Sequence, residues 1–201
     1  VIRSKARMTY RKMNEIFDGN KERRAEYAFL TETADRMHAL SQAMRRRRME
    51  RGALDLDLPE AEILTDESGE PVEVSFRARG DAEKMIEEFM LAANEAVAAY
   101  MTHRNNPTVY RVHESPDPEK LRVFAQFARP FGYRSKPNDT AQLQAVLDGA
   151  KDDPRQRALP TLLLRSLARA RYDAECLGHY GLQAKEYLHF PSPIRRYPDL
   201  V

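Results

Sequence analysis

The spacing of the apolar residues changes twice along the chain, and this constrains the fold more than any other feature. In residues 21–50 the apolar side chains recur at steps of three and four, beginning with Tyr27, Leu30 and Ala34, as in a helix. In ALDLDLPE, residues 53–60, leucines alternate with aspartates, as in a strand. From Asp81 onward the apolar residues again recur at the spacing of a helix. The sequence therefore predicts an α+β protein in which helices outnumber strands.

The same patterns predict where the individual elements lie. Helices are predicted over residues 8–20, 21–50, 81–102, 139–151 (closed by Gly149) and 155–176, and a further helix has Ser115 as N-cap and Pro116 as first residue. Strands are predicted at 108–113 and as an antiparallel pair within 53–79, with the turn DESGE at 66–70.

Composition limits the class of protein. The 201 residues are 42% hydrophobic, enough for one large domain or two small ones. A single cysteine, Cys176, excludes a disulfide framework and favours a reducing cytoplasm. No apolar run reaches the roughly 18 residues of a membrane helix, and no signal peptide opens the chain. Since it begins with Val1, we expect a piece of a longer protein.

Charge is unevenly distributed along a chain whose net charge is only +2. Residues 1–52 carry 14 basic and 7 acidic side chains, residues 53–100 carry 3 and 13, and residues 101–201 carry 16 and 11. Two basic segments that shared a face would hold a phosphate backbone in a salt-dependent way. The alternative is that each segment is an ordinary solvated surface.

Two carboxylate patterns have both a functional and a structural interpretation. Glu87 and Asn94 share a face of the predicted helix 81–102, where they either bind a ligand hydroxyl or are surface groups. Asp55 and Asp57 lie two residues apart and would project from the same face of a strand. They either bind a cation such as Mg²⁺ or form the solvent-facing side of that strand. The five histidines have no close metal spacing, and no nucleotide-binding loop or nucleophile elbow is present.

The stretch SPIRRYPDL combines prolines, which fix the backbone, with two adjacent arginines. Its prolines, with Pro191 just before them, block regular helix and central strand. A rigid backbone can hold Arg195 and Arg196 in a fixed direction, where a guanidinium matches a phosphate. Such an arginine either stabilises a phosphoryl-transfer transition state or binds backbone carbonyls in a loop.

HFPSPIRRYPDL, residues 189–200, resembles the motif HFTSPIRRYPDL of the RNB catalytic domain in the ribonuclease II and ribonuclease R family. Further similar segments follow in the same order over essentially the whole chain, closer to the ribonuclease R branch: ARMTY (6–10), RRRRMERGALDLDLPEAE (45–62), MIEEFMLAANEAVA (85–98), VYRVHESPDPEKL (109–121), TLLLRSLARARYDAE (161–175) and GHYGLQAKEYLHF (178–190). The resemblance implies a mixed sheet packed with several long helices.

The resemblance also implies a function. Members of that family are processive, magnesium-dependent exoribonucleases that degrade single-stranded RNA from its 3′ end to nucleoside monophosphates by a two-metal mechanism. Arg195 matches the catalytic arginine, while Tyr10 and Glu87 match positions that recognise RNA near the 2′-hydroxyl. Leu56 stands where a phenylalanine usually clamps the last base, and Pro191 replaces a threonine. Beside Arg195, Arg196 and Tyr197 are further candidate RNA contacts.

Residues 1–201 lack the aspartate cluster that binds the metals in this family. Asp55 and Asp57 lie at the wrong place to substitute for it. We therefore expect a partial RNB domain, with Mg²⁺ ligands and flanking RNA-binding β-barrels outside these residues. It would be inactive alone but part of a cytoplasmic, monomeric enzyme that acts on single-stranded RNA and not at membranes. The alternatives are a non-catalytic RNA-binding or scaffold protein and one half of a split nuclease.

Overall fold

A computed structural model describes residues 3–55, 60–66, 68–77, 79–133, 139–152 and 158–190. The chain forms two compact units, the first made of residues 1–45 and 58–89 and the second of residues 46–57 and 90–201. The predicted α+β class is confirmed. Within the described residues, no helix is long and apolar enough to cross a bilayer.

The first unit begins with three helices: α1 (Tyr10–Phe17), α2 (Lys21–Glu26) and the start of α3 (Ala28–Glu50). Thr9 and Asn20 cap the first two through side-chain oxygens that accept backbone N–H groups. The prediction of one helix over residues 21–50 is wrong, because the chain breaks at Tyr27. Tyr27 is buried, and its carbonyl accepts from both the N–H and the hydroxyl of Thr31, which holds the bend.

The predicted antiparallel pair is present, formed by β1 (Glu60–Thr65) and β2 (Pro71–Arg77). Its turn is held by Asp66, whose carboxylate accepts from the backbone N–H groups of Ser68 and Glu70. The first strand begins seven residues later than the expected start at Ala53. The reason is that Leu54 is buried in the second unit, where its N–H donates to the carbonyl of Gly181.

Helix α4 (Asp81–His103) follows the prediction closely. Its residues 81–89 belong to the first unit and the remainder to the second. The buried positions Ala82 and Met85 in the first unit, and Leu91 and Ala98 in the second, recur at helical spacing. The sequence indicated a stripe through Met85, Phe89, Ala93 (or Ala92) and Ala96; Met85 is buried, but Ala96 is exposed, so the buried face differs from the predicted one.

The core of the second unit is built by α5 (Pro118–Ala128), α6 (Thr140–Asp152) and α7 (Ala158–Ser166). Fully buried side chains from all three helices meet there, among them Leu121, Phe124, Leu143 and Leu163. Burial of this apolar area is the main stabilising term for the unit.

Three boundaries in this unit differ from the sequence prediction. Helix α5 is capped by Asp117, not by Ser115, because the Asp117 carboxylate accepts from the N–H of Glu119 at 2.8 Å. Gly149 lies inside α6, where the Tyr133 side chain occupies the space a Cβ would need. Helix α7 ends at Ser166, ten residues before the predicted end.

Residues 171–173 instead form a strand. Strand β3 (Tyr110–Val112) pairs antiparallel with β4 (Arg171–Asp173). A parallel bridge joins His113 to His179, directly before a 3₁₀ turn at Tyr180–Leu182. Segments separated by about 60 residues in sequence therefore lie side by side around these two histidines.

Candidate functional site

Tyr10 is the first residue of α1 and is 43% exposed. Thr9 fixes the start of the helix, since its hydroxyl accepts from the N–H of Lys12 at 3.3 Å. The Tyr10 ring is thus held on a capped helix end while remaining accessible to a ligand.

Helix α1 is hydrogen-bonded to the start of α4 through Asn14. The Asn14 carbonyl oxygen accepts from the N–H of Ala82 at 2.8 Å, and its amide donates to the Glu83 carboxylate at 2.9 Å. Tyr10 lies one turn before Asn14, and Glu87 lies one turn after Glu83. The two candidate ribose-recognising residues are therefore each one helical turn from the same hydrogen-bonded pair.

Glu87 is partly exposed and pairs with Arg79, within the first unit. A carboxylate has about four lone-pair positions, so one guanidinium does not exhaust its capacity to accept hydrogen bonds. The geometry permits a contact between Glu87 and a ligand hydroxyl. The roles of Tyr10 and Glu87 in RNA recognition stay predictions.

Asn94 has neither of the roles that the sequence suggested for it. It is 2% exposed, and its amide donates to the Tyr187 hydroxyl at 2.9 Å. Its carbonyl oxygen accepts from the N–H of Phe190 at 2.7 Å. Asn94 therefore anchors the backbone immediately before the proline- and arginine-rich segment.

Other predicted site residues lie outside the described part of the chain. These are Leu56, Arg195, Arg196 and Tyr197, together with Asp57 and Pro191. Asp55 is described, and its N–H donates to the side-chain carbonyl of Gln144 at 2.7 Å. In the ranges that the structure describes, no group of three or more His, Cys, Asp or Glu side chains could hold a metal ion.

Sequence reasoning missed a chain of histidines and aromatic rings in the second unit. His113 packs edge-on against His179 with ring centroids 4.9 Å apart, and His179 packs against Tyr187 at 5.1 Å. His189 continues the chain and shares a 2.9 Å hydrogen bond with the Tyr172 hydroxyl. No spacing in the sequence signals this cluster, because its members come together only through the pairing of distant segments.

Burial dominates the electrostatics of this cluster. It lowers the pKa of His179 to about 4, with smaller contributions in the same direction from nearby His113 and Arg111. Burial also lowers the pKa of His113, and the Ala168 carbonyl opposes this shift. Both imidazoles are therefore neutral at pH 7 and act as hydrogen-bonding groups, not as cations.

Buried charge also appears in the first unit. Glu88 is 3% exposed, and the guanidinium of Arg45 lies 3.9 Å from its carboxylate. Arg45 lies near the C-terminal end of α3, where a cation also complements the helix dipole. The signal for Glu88 was its position three residues after Met85 on the buried stripe of α4.

These features define an α+β domain with an exposed pair of polar candidates in one unit and a buried polar cluster in the other. The RNB domain family matches residues 1–201, and the chain belongs to that family. It is 42% identical to ribonuclease R 1 of Lactococcus lactis and 42% identical to ribonuclease R of Thermotoga maritima, in each case over the whole of this chain. These alignments cover 25% and 29% of the two relatives.

Solved structures of ribonuclease R have the same fold as this chain. The Mycoplasma genitalium RNase R complex with ribose-methylated single-stranded RNA superposes with a TM-score of 0.83 and 31% identity. The match covers 98% of this chain and 31% of that one. The chain thus spans between a quarter and a third of the length of these relatives. Nucleases of this family are generally metal-dependent, but the described residues do not fit a metal site.

Proposed function

We propose that this chain is part of a 3′-to-5′ exoribonuclease that hydrolyses single-stranded RNA to nucleoside monophosphates. The match of the RNB family to all 201 residues, with ribonuclease R relatives at 42% identity, carries this proposal. The enzyme would be a cytoplasmic monomer, with Mg²⁺ as its metal. Its carboxylate ligands, and the RNA-binding β-barrels of the family, would lie outside residues 1–201.

In this proposal the chain's own residues bind and orient the RNA. Tyr10 and Glu87 contact the ribose, where a carboxylate accepts a hydrogen bond from the 2′-hydroxyl and so distinguishes RNA from DNA. Leu56 packs against the terminal base, more weakly than an aromatic ring would. Arg196 and Tyr197 supply further contacts. Bound Mg²⁺ would supply an activated water and stabilise the leaving oxygen.

Arg195 has the role closest to the chemistry. Its guanidinium would contact the scissile phosphate, where it stabilises the negative charge that grows in the transition state. The buried hydrogen bonds of Asn94 to Tyr187 and Phe190 support this role, because they hold the backbone just before residue 191. A positioned backbone is what such an arginine needs.

The proposal is tested with the protein at its natural length and a 5′-labelled single-stranded oligoribonucleotide. We expect Mg²⁺-dependent shortening from the 3′ end, release of mononucleotides, and little hydrolysis of the DNA of the same sequence. RNA binding without hydrolysis would replace the enzyme with a non-catalytic RNA-binding protein. Residues 1–201 alone should release no mononucleotides; release would show that these residues contain a complete metal site.

Replacing Arg195 tests the assignment of the catalytic arginine. Arg195→Ala should lower turnover by about 10³-fold, the smaller end of the range for arginines that stabilise phosphoryl transfer. RNA affinity should change by less than about tenfold, since the contact is strongest in the transition state. Arg195→Lys keeps the positive charge but removes the planar set of guanidinium donors, so it shows which of the two the reaction needs. Equal losses in turnover and affinity would make Arg195 only a phosphate anchor.

A further inference from the structure

A cavity of about 690 Å³ lies in the second unit between β3, the end of α7 and the 3₁₀ turn at Tyr180–Leu182. Its volume is within the range of small-molecule sites, about 300–1,000 Å³. The charged and polar side chains on its wall are Arg111, His113, Arg165, Arg169 and His179. Among its described lining residues there is no aspartate or glutamate, so its wall carries cationic side chains without carboxylates.

Within the described part of the chain, the three arginines of this cavity have no acidic partner. The guanidinium of Arg111 lies 4.8 Å from the centre of the Tyr172 ring, a cation–π contact that leaves its N–H donors available. Over the ranges that the structure describes, no carboxylate forms an ion pair with Arg111, Arg165 or Arg169. Arg171, two residues after Arg169, instead pairs with both Glu114 and Asp173. Unpaired cations around one cavity attract an anion.

His113 forms part of the buried wall of this cavity. Its Nδ1 accepts from the N–H of Gly181 at 3.1 Å, which places the proton of the neutral ring on Nε2. His113 is only 8% exposed and its Nε2 atom is buried, so this nitrogen does not open into the cavity, and the Ala168 carbonyl acts on the ring. The imidazole therefore gives this wall a neutral, buried lining and leaves contact with a ligand to the guanidinium groups.

His179 repeats this arrangement. Its Nδ1 accepts from the N–H of Leu182 at 3.3 Å, so its neutral ring also carries the proton on Nε2. Both neutral imidazoles line the same cavity as the three guanidinium groups. A phosphate has only acceptor oxygens at its surface and matches guanidinium donors well.

We propose that this cavity binds a nucleoside monophosphate, with the phosphate on the arginines. Leu54, Leu164, Leu167 and Leu182 line the remaining wall and can pack against the sugar and base. The phosphate site rests on the donors alone. The nucleoside part rests on the proposed function, since nucleoside monophosphates are what that reaction releases.

Isothermal titration calorimetry of the natural-length protein with adenosine 5′-monophosphate tests the site. EDTA in the buffer prevents binding through a catalytic metal, and no hydrolysis is needed, so a failure of the nuclease proposal leaves this test intact. We expect the double change Arg165→Gln and Arg169→Gln to weaken binding at least tenfold. Both arginines are exposed, so the variant should keep its circular dichroism spectrum and melting temperature.

Arg122→Gln is the matched control, because Arg122 is an exposed arginine of the same unit paired with Glu119. It should leave the affinity for adenosine 5′-monophosphate unchanged. Adenosine should not bind at the same concentrations, and inorganic phosphate should bind more weakly than the nucleotide. Phosphate binding as tightly as the nucleotide would overturn the nucleoside part of the proposal.

Two other outcomes overturn the proposal as a whole. One is nucleotide binding that the double arginine variant does not weaken, or that adenosine reproduces. The other is no nucleotide binding while a short single-stranded RNA binds in an arginine-dependent way, which would make the cavity a contact for the polymer. In the supporting case, the nucleotide should also raise the pKa of His113 followed by NMR, because a nearby anion favours the protonated ring.

Discussion

The two units place their polar groups differently. In the first unit many polar side chains form ion pairs at the surface, such as Arg24 with Asp35 and Arg36 with Glu32, while Ser41 and Glu88 are buried. In the second unit the polar side chains Asn94 and His113 are buried among hydrogen bonds to the backbone or to tyrosine. Exposed pairs contribute little to stability, whereas buried hydrogen bonds are costly to leave unmade.

This difference bears on where an anion would bind. An arginine whose donors meet a carboxylate, as in the first unit, is already satisfied. The cavity arginines of the second unit, Arg111, Arg165 and Arg169, face neutral imidazoles and leucines instead. An anion would therefore bind where arginines lie away from carboxylates, whatever the number of basic residues. The net charge of the sequence does not show where such arginines are.

The largest stability effect should come from the buried amide in the second unit. Asn94→Ala removes the hydrogen bonds to Tyr187 and Phe190. Because each buried group left without a partner costs about 1–3 kcal/mol, we expect a loss of about 3 kcal/mol in the free energy of unfolding. Urea unfolding measures it, and turnover should also fall because the backbone before residue 191 is released.

Asn106→Ala is the control for this change. Asn106 is exposed in the same unit, and its side-chain amide donates to the Met101 sulfur at 3.9 Å. Its removal should leave both the unfolding free energy and turnover unchanged. If Asn94→Ala proved as mild as Asn106→Ala, the contrast between buried and exposed polar contacts would fail at its strongest point.

The next effect is on the pH dependence of stability. In the unfolded chain the pKa of a histidine is near 6.5, and burial lowers the pKa of His179 to about 4 in the folded state. Between these values the unfolded state binds more protons, so stability falls as the pH drops. From pH 7 to pH 5 the expected loss from His179 is on the order of 2 kcal/mol.

His179→Asn tests the source of this loss. The asparagine side-chain oxygen can replace Nδ1 as acceptor for the N–H of Leu182, but it does not titrate. We expect the difference in unfolding free energy between pH 7 and pH 5 to shrink in the variant. An unchanged difference would assign the pH dependence to other groups.

The parts of the fold that sequence could predict were those set by local pattern. The extent of α4 and the Asp66 turn between β1 and β2 follow from residue order alone. The break at Tyr27 and the early end of α7 did not, because they depend on what the neighbouring segments bury. The site divides in the same way. Tyr10 and Glu87 came from motif resemblance, while the contact between His113 and His179 needs strand pairing over 66 residues.

A smaller effect, on specificity and not on stability, is expected in the first unit. Glu87→Ala should lower the ratio of kcat/KM for RNA over DNA of the same sequence by about tenfold, the lower end for a hydrogen bond to a charged group. Glu95→Ala is the matched control on the same helix, since Glu95 pairs with Arg51 in the second unit. An unchanged ratio would leave Glu87 as the partner of Arg79 only.

The smallest effect should come from the exposed pair of Arg36 and Glu32 on α3. The two groups lie 2.5 Å apart at a spacing of four residues, but both side chains are 79% exposed. Water and salt screen such a pair, and ordering two long side chains opposes it. Arg36→Ala and Glu32→Ala should each leave the urea midpoint within experimental error, at low and at high salt. A clear drop in the midpoint that disappears in high salt would show that surface pairs do stabilise the first unit, and the distinction between satisfied surface charges and buried polar groups would no longer hold.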